Sequence, residues 1–146
     1  GDINSQHVDN TDLPASYVPN RNALFFLLAH SYAQKIKAGT LIAGICQTDY
    51  SGYPDCREDF VNSIETSMNL GSDQDIKIVA PLMHLTKAET FHLAKKEGVY
   101  DLVIKESHTC YNGIAEMNPW GRGCGACPAC GLREKGYNEY LQLYGE

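Results

Sequence analysis

The strongest constraint on this chain is a group of four cysteines near its end. They are Cys110, Cys124, Cys127 and Cys130, spaced C-x13-C-x2-C-x2-C. Thiolates are soft ligands, and four in one short stretch can close a tetrahedron around Zn²⁺. Two residues between ligands is the separation at which a tight turn points both sulfurs at one ion. In Cys124-Gly-Ala-Cys-Pro-Ala-Cys130, Gly125 permits an unusual backbone angle, the two alanines are small, and Pro128 stiffens the second turn. Disulfides or buried free thiols are the competing reading; the spacing and the lack of secretory features favour metal. A closed four-thiolate site leaves no coordination position for a substrate, so the zinc is expected to be structural. It constrains how this part of the chain folds and leaves the activity open.

The 146 residues suffice for a domain with a real core, and 43% apolar content argues against wholesale disorder. Eighteen acids against 12 bases give a formal charge of −6, which argues against direct nucleic-acid binding as the main role. The longest apolar run, Ala23 to Ala29, is far short of the roughly 20 residues a membrane-spanning helix needs. With no basic start leading into an apolar stretch, the expected compartment is reducing cytoplasm, without a membrane partner. The sequence opens on Gly1 with a polar segment, which reads as the start of a fragment or a processed form.

Apolar periodicity predicts a helix from about Arg21 to Lys37, with Leu24, Leu27, Leu28, Ser31 and Ile36 as its buried stripe and Gly39 as its end. Thr40 to Cys46 reads as a buried strand of a parallel sheet. A second helix is expected from about Arg57 to Leu70, closed by Gly71, and a second strand over Ile76–Ala80, stopped by Pro81. Thr86 with Glu89 three residues on is a capping box opening a helix to about Glu97. This rhythm predicts an α/β fold with a partial Rossmann-like parallel sheet over residues 1–99. Two strands make a poor sheet alone, so others would come from elsewhere in a longer protein or from a partner. An exposed sheet edge would also favour self-association, which makes a homodimer an expected partner. Residues 100–146 show no strand signal and are expected to form a helical subdomain stitched by zinc.

Ligands in parallel α/β sheets bind beyond the carboxyl ends of the strands. The loop from Gln47 to Arg57 packs Asp49, Tyr50, Tyr53, Asp55 and Arg57 into eleven residues. Such residues can stack a flat heterocycle and hydrogen-bond its edge, although Ser51-Gly52 and Pro54-Asp55 are also ordinary turn chemistry. Lys87, in the first turn of a helix, and Arg21, followed by Asn22 at the start of another, fit an anion site; both positions also suit a solvated cation. His7, His30, His92 and His108 show no evident partner in the sequence. Cys46 reads as a small buried apolar residue, and Cys56 as an ordinary loop thiol.

These residues resemble a known family. Tyr17-Val-Pro-Asn-Arg-Asn22, Asp49-Tyr-Ser-Gly-Tyr-Pro-Asp-Cys-Arg57, Thr109-Cys-Tyr-Asn-Gly113 and Cys124-Gly-Ala-Cys-Pro-Ala-Cys-Gly-Leu-Arg133 look like signatures of the 7-cyano-7-deazaguanine synthases. These are queuosine-pathway enzymes of the N-type ATP pyrophosphatase superfamily, whose α/β domain is of the adenine-nucleotide hydrolase type. The resemblance spans roughly Leu13 to Tyr140. It implies ATP-dependent conversion of 7-carboxy-7-deazaguanine and ammonia to the nitrile, with ATP and Mg²⁺ beside structural zinc. By the same resemblance Arg21 and Lys87 would hold ATP phosphates, and Asp49 would join them in catalysis. Asn22, Tyr50, Tyr53, Asp55 and Arg57 would frame the deazaguanine, and Tyr111 and Asn112 would close the site.

Two departures accompany the resemblance. The family's Ser-Gly-Gly-x-Asp-Ser nucleotide loop and first strands are missing, so the 146-residue chain alone is expected to be inactive. The interval between Cys110 and Cys124 is longer than the commonest family form, and it sets Trp120 beside the zinc, where a lid or interface role is expected. A tRNA-thiolating relative would need a basic face and a reactive cysteine. A zinc-stabilised binding module without catalysis would need no further strands.

Overall fold

The structure is a computed structural model that describes residues 15–47 and 52–145. Residues Tyr17–His84 form one unit and the residues from Leu85 onward a second. Helix α1 (Arg21–Ile36) opens the first unit, followed by strand β1 (Thr40–Ile42), helix α2 (Glu58–Ser72) and strand β2 (Lys77–Val79). β1 and β2 pair in parallel, with Thr40 opposite Lys77, Leu41 opposite Ile78 and Ile42 opposite Val79. The mixed α/β character and the parallel sheet agree with the sequence pattern. Both strands are shorter than expected, three residues each, and Ile42 stands 79% exposed where a buried run was anticipated.

The buried face of α1 differs from the expected stripe. Phe26, His30 and Ala33 are buried, whereas Leu24, Leu27, Leu28 and Ile36 are all more than half exposed. The helix is apolar on more than one side, so periodicity could not choose the face. A histidine was passed over because it is polar, yet neighbours engage both its ring nitrogens. Gln34 Nε2 donates to His30 Nδ1 at 3.1 Å, and His30 Nε2 meets Asn69 Oδ1 at 3.0 Å. Asn69 in turn donates to Ile76 O and accepts from Ile76 N, both at 3.0 Å. Paired in this way, the polar ring is buried without an unsatisfied group. Phe26 completes an apolar core with Val61, Met68 and Met83.

Glu65 of α2 extends a carboxylate to β2, where Oε2 accepts the Ile78 N–H at 2.6 Å. Lys77 N donates the other way, to Gly39 O on the β1 side, at 3.0 Å. The two helix ends also depart from expectation. α1 closes on Lys37 (φ 57°) and α2 on Asp73 (φ 52°), both left-handed, while Gly71 lies inside α2. Left-handed backbone costs an ordinary L-residue roughly 1–2 kcal/mol, which glycine avoids. Lys37→Gly and Asp73→Gly are therefore each expected to raise the unfolding free energy by about 1 kcal/mol in urea titrations.

The second unit contains helices α3 (Lys87–Lys96), α4 (Tyr100–Glu106) and α5 (Pro128–Tyr144), with a hairpin of strands β3 (Met117–Asn118) and β4 (Gly121–Arg122). The capping box holds in both directions: Glu89 N donates to Thr86 Oγ1 at 3.2 Å, and Thr86 N donates to Glu89 Oε2 at 2.7 Å. α3 packs on α5, burying Ala88, Phe91 and Tyr140. So α3, placed in the first domain by the 99/100 boundary, packs within the second unit, and the contact boundary falls at 84/85. The hairpin corrects the expectation of a strandless segment; at two residues per strand it is too short to leave an alternating pattern. Among the described residues no helix is long and apolar enough to cross a membrane.

Candidate functional site: a four-thiolate centre and a polar loop

The four cysteines converge. The sulfurs of Cys110, Cys124, Cys127 and Cys130 all lie within 4.8 Å of one another, and those of Cys124 and Cys130 are 3.9 Å apart. A tetrahedral ion with bonds of about 2.3 Å needs sulfurs about 3.8 Å apart. Gly125 adopts φ +70°, the unusual angle expected between Cys124 and Cys127. Pro128 is the first residue of α5, where its missing N–H costs nothing, and Cys127 is that helix's N-cap. This turn aims three sulfurs from one segment, and Cys110 brings the fourth.

Donors surround the sulfurs. Ala126 N and Cys127 N point at Cys124 Sγ at 3.4 and 3.3 Å, and Asn112 Nδ2 does so at 3.5 Å. The Ala126 and Cys127 N–H groups pull the Cys124 thiol down to about 6, against the cost of burial. Burial pushes Cys130 up to about 12. Burial opposes ionisation of Cys110 too, but N–H groups around Cys124, Ile114 and Asn112 outweigh it and hold that thiol below its ordinary value. Donors arranged for anionic sulfur fit a thiophilic divalent ion. Among the described residues this is the one cluster of three or more ligand-type side chains close enough to share an ion.

Trp120 is only 4% exposed and packs on Cys127 and Cys130. It lies beside the cysteines as expected, but inside its own unit instead of on the surface as a lid. The hairpin reaches the cluster through glycine. A Cβ on Gly123 would sit 2.5 Å from Cys130 Sγ, and one on Gly121 would sit 2.5 Å from Arg133 Nη2.

The polar loop is held at both ends. Gln47 Oε1 accepts the Glu58 N–H at 3.1 Å, and Gln47 N donates to Met83 O at 3.0 Å. Asp49 and Tyr50 lie outside the described residues. Tyr53 is buried and stacks on Tyr17, with centroids 5.7 Å apart. Asp55 is 5% exposed and faces the start of α1: its Oδ2 accepts the Asn22 N–H at 3.0 Å, and its carbonyl accepts from Asn22 Nδ2 at 3.0 Å. A carboxylate at a helix N-terminus satisfies a free donor and complements the dipole. Asp55→Ala is expected to cost about 2 kcal/mol of stability, and Asp55→Asn, which keeps a carbonyl oxygen, clearly less. Thermal unfolding of the pair checks this.

The structure thus brings Asn22 and Asp55 together, with Tyr53 two residues before Asp55. Arg21 and Arg57 are exposed at the starts of α1 and α2. Asn112 reaches a cysteine sulfur, and Tyr111 lies beside Cys110. Lys87 is half-buried at the start of α3, where the capping box already engages two N–H donors. Arg133 and the Asn22–Asp55 pairing escaped the sequence reading. Arg133 stood inside a quoted motif, but nothing in spacing shows that an arginine three residues after a cysteine is buried.

An α/β unit with a polar loop after its first strand, and a helical unit carrying a four-thiolate centre, define the class. The family model described as "Queuosine biosynthesis protein QueC" matches residues 1–141. The chain is 59% identical over 135 residues to a 7-cyano-7-deazaguanine synthase of Helicobacter pylori (strain Shi470), a match covering 92% of this chain and 60% of that protein. It is 59% identical over 137 residues to the synthase of Wolinella succinogenes, covering 93% and 59%. It is 49% identical over 132 residues to that of Caulobacter sp. (strain K31), covering 88% and 53%. The chain belongs to the queuosine biosynthesis protein QueC family. It spans about 60% or less of the length of these curated relatives.

Proposed function

We propose that this chain is part of a 7-cyano-7-deazaguanine synthase, joining 7-carboxy-7-deazaguanine and ammonia into a nitrile at the expense of ATP. The observation that carries the reading is the 59% identity over 135 residues to a protein of that name. In the proposed chemistry the substrate carboxylate attacks the α-phosphorus of ATP, and pyrophosphate leaves. Ammonia attacks the acyl carbon, AMP leaves, and a proton is lost to give the amide. The amide oxygen attacks a second ATP, again releasing pyrophosphate. Loss of AMP and a proton leaves the carbon–nitrogen triple bond. An amide oxygen is a poor leaving group until phosphorylated, and charge growing on phosphate needs cations.

In this reading Arg21 and Lys87 supply positive charge to ATP phosphates, with Mg²⁺ travelling on the nucleotide, and Arg57 frames the deazaguanine. Asp49 and Tyr50 contact the deazaguanine. Asp55 serves by fixing the loop to Asn22, and Tyr53 by its stack on Tyr17, because both side chains are buried. The four thiolates hold Zn²⁺ as a structural ion. The adenine-nucleotide hydrolase-type domain, a cytoplasmic location and a homodimer belong to the same proposal. The test is an assay of the protein expressed from its complete gene, with ATP, 7-carboxy-7-deazaguanine and ammonium. AMP, pyrophosphate and a product of the nitrile's mass are expected. No substrate-dependent AMP from folded, zinc-loaded protein would overturn the reading.

A further inference from the structure

We propose that Arg133 is the positioning residue and charge partner of the thiolate centre, holding the hairpin and α4 in place around the metal and stabilising its anionic form. Arg133 is 6% exposed, an unusual position for a guanidinium. Nε donates to Trp120 O at 2.8 Å, Nη2 to Val103 O at 2.9 Å and Nη1 to Ser107 O at 3.5 Å. Three segments therefore converge on one side chain of α5: the end of α4, the residue after it, and the hairpin turn. Val103 O belongs to the last turn of α4, where the helix dipole favours a cation, and it also accepts from Ser107 Oγ at 2.5 Å.

Those acceptors are neutral. Among the described residues no carboxylate lies within 4.0 Å of Arg133 in an ion pair. A buried charge without an opposite one costs several kcal/mol. Burial holds the Arg133 guanidinium below its ordinary value; the group that acts the other way is Cys130, one helical turn back on α5, when its sulfur is anionic. Four thiolates around a divalent cation carry a formal charge of −2, so metal loading supplies the missing counter-charge. The glycine at 121 fits this role. Its φ of +117° and its missing Cβ let the hairpin backbone close on the guanidinium.

The inference rests on the zinc assignment and not on the synthase reaction. Its test is the zinc Kd of the whole chain, measured by competition with a chromophoric chelator, for the parent, Arg133→Gln and Arg133→Lys. Removing a residue behind the ligands typically weakens metal about 10–100-fold. Arg133→Gln is expected to bind at least tenfold more weakly, and Arg133→Lys to lie closer to the parent than to Arg133→Gln. With Co²⁺ in place of zinc, the sulfur-to-metal charge-transfer band should move to lower energy in Arg133→Gln and stay put in Arg133→Lys, because a neighbouring cation holds sulfur electrons more tightly. If Arg133→Gln binds within tenfold of the parent, or Arg133→Lys is as weak as Arg133→Gln, the charge role is overturned. If Arg133→Gln does not fold at saturating zinc, Arg133→Lys decides: a Kd within tenfold of the parent supports the role, and a weaker one overturns it. A parent that takes up no zinc overturns the metal assignment and this inference together.

Discussion

Stripping the metal is expected to melt the cysteine-bearing part of the second unit. Trp120 reports the change, because it is the single tryptophan and is 4% exposed. Its fluorescence should shift to the red on chelation and return when zinc is restored. Amides of β3 and β4 should lose protection from hydrogen exchange, while those of α2 keep theirs. The size of the effect follows from what else holds this region. The strands have two residues each, and the buried cluster is Trp120, Cys127 and Cys130 with half-buried neighbours. Zinc bound by such ligands contributes about 10–16 kcal/mol at neutral pH, far beyond what a core of this size supplies.

The pH dependence has a definite sign. Cys124 is depressed to about 6, below the ordinary thiol value, so its thiolate stabilises the fold above that ordinary value. This contribution is lost as pH falls through about 6. Cys130, raised to about 12 by burial, keeps its proton at neutral pH until a metal displaces it. Zinc uptake at pH 7 should therefore release protons into a weak buffer, and chelator extraction should speed up below pH 6. Extraction independent of pH between 5 and 8 would contradict these assignments.

The second large effect separates two glycines of one helix. In α5 an added Cβ at Gly136 would collide with Lys87 Cβ, while one at Gly131 meets nothing within 4 Å. Alanine gains about 1 kcal/mol over glycine in a helix interior, and overpacking a tight contact costs about 1–3 kcal/mol. Gly131→Ala should therefore stabilise the chain by up to about 1 kcal/mol. Gly136→Ala should destabilise it by about 2 kcal/mol net, the collision outweighing propensity. The obstructing atom lies next to the Lys87 backbone, so the helices must separate rather than a chain end swing aside. Urea titrations of both variants give the two signs. In the proposed synthase, the same separation would displace Lys87 and lower turnover in Gly136→Ala only.

What the sequence revealed and concealed follows from the range of the interactions involved. The metal set and the capping box were legible because each is written within a few residues. So was the parallel pair, whose apolar runs alternate with helical ones. The buried side of α1 was not. Leu24, Leu27 and Leu28 outrank His30 in apolarity, and one of the two partners that make His30 a core residue, Asn69, lies 39 residues on. Asp55 looked like a ligand because carboxylates in loops often are. Its partner Asn22 lies 33 residues earlier, beyond any local pattern. The helix ends were misread because glycine marks the left-handed position only on average, and here Lys37 and Asp73 occupy it.

The carboxylate of Glu65 gives the small sheet a direction. It occupies the outward N–H of Ile78, so β2 offers no free donor there to a newcomer. On β1 the alternate backbone groups, at Thr40 and Ile42, point away from β2, and Ile42 is open to solvent. A strand joining this sheet along β1 would meet its outward backbone groups at Thr40 and Ile42. Side chains of α2 occupy the far edge of this sheet, Glu65 at Ile78 and Asn69 at Ile76.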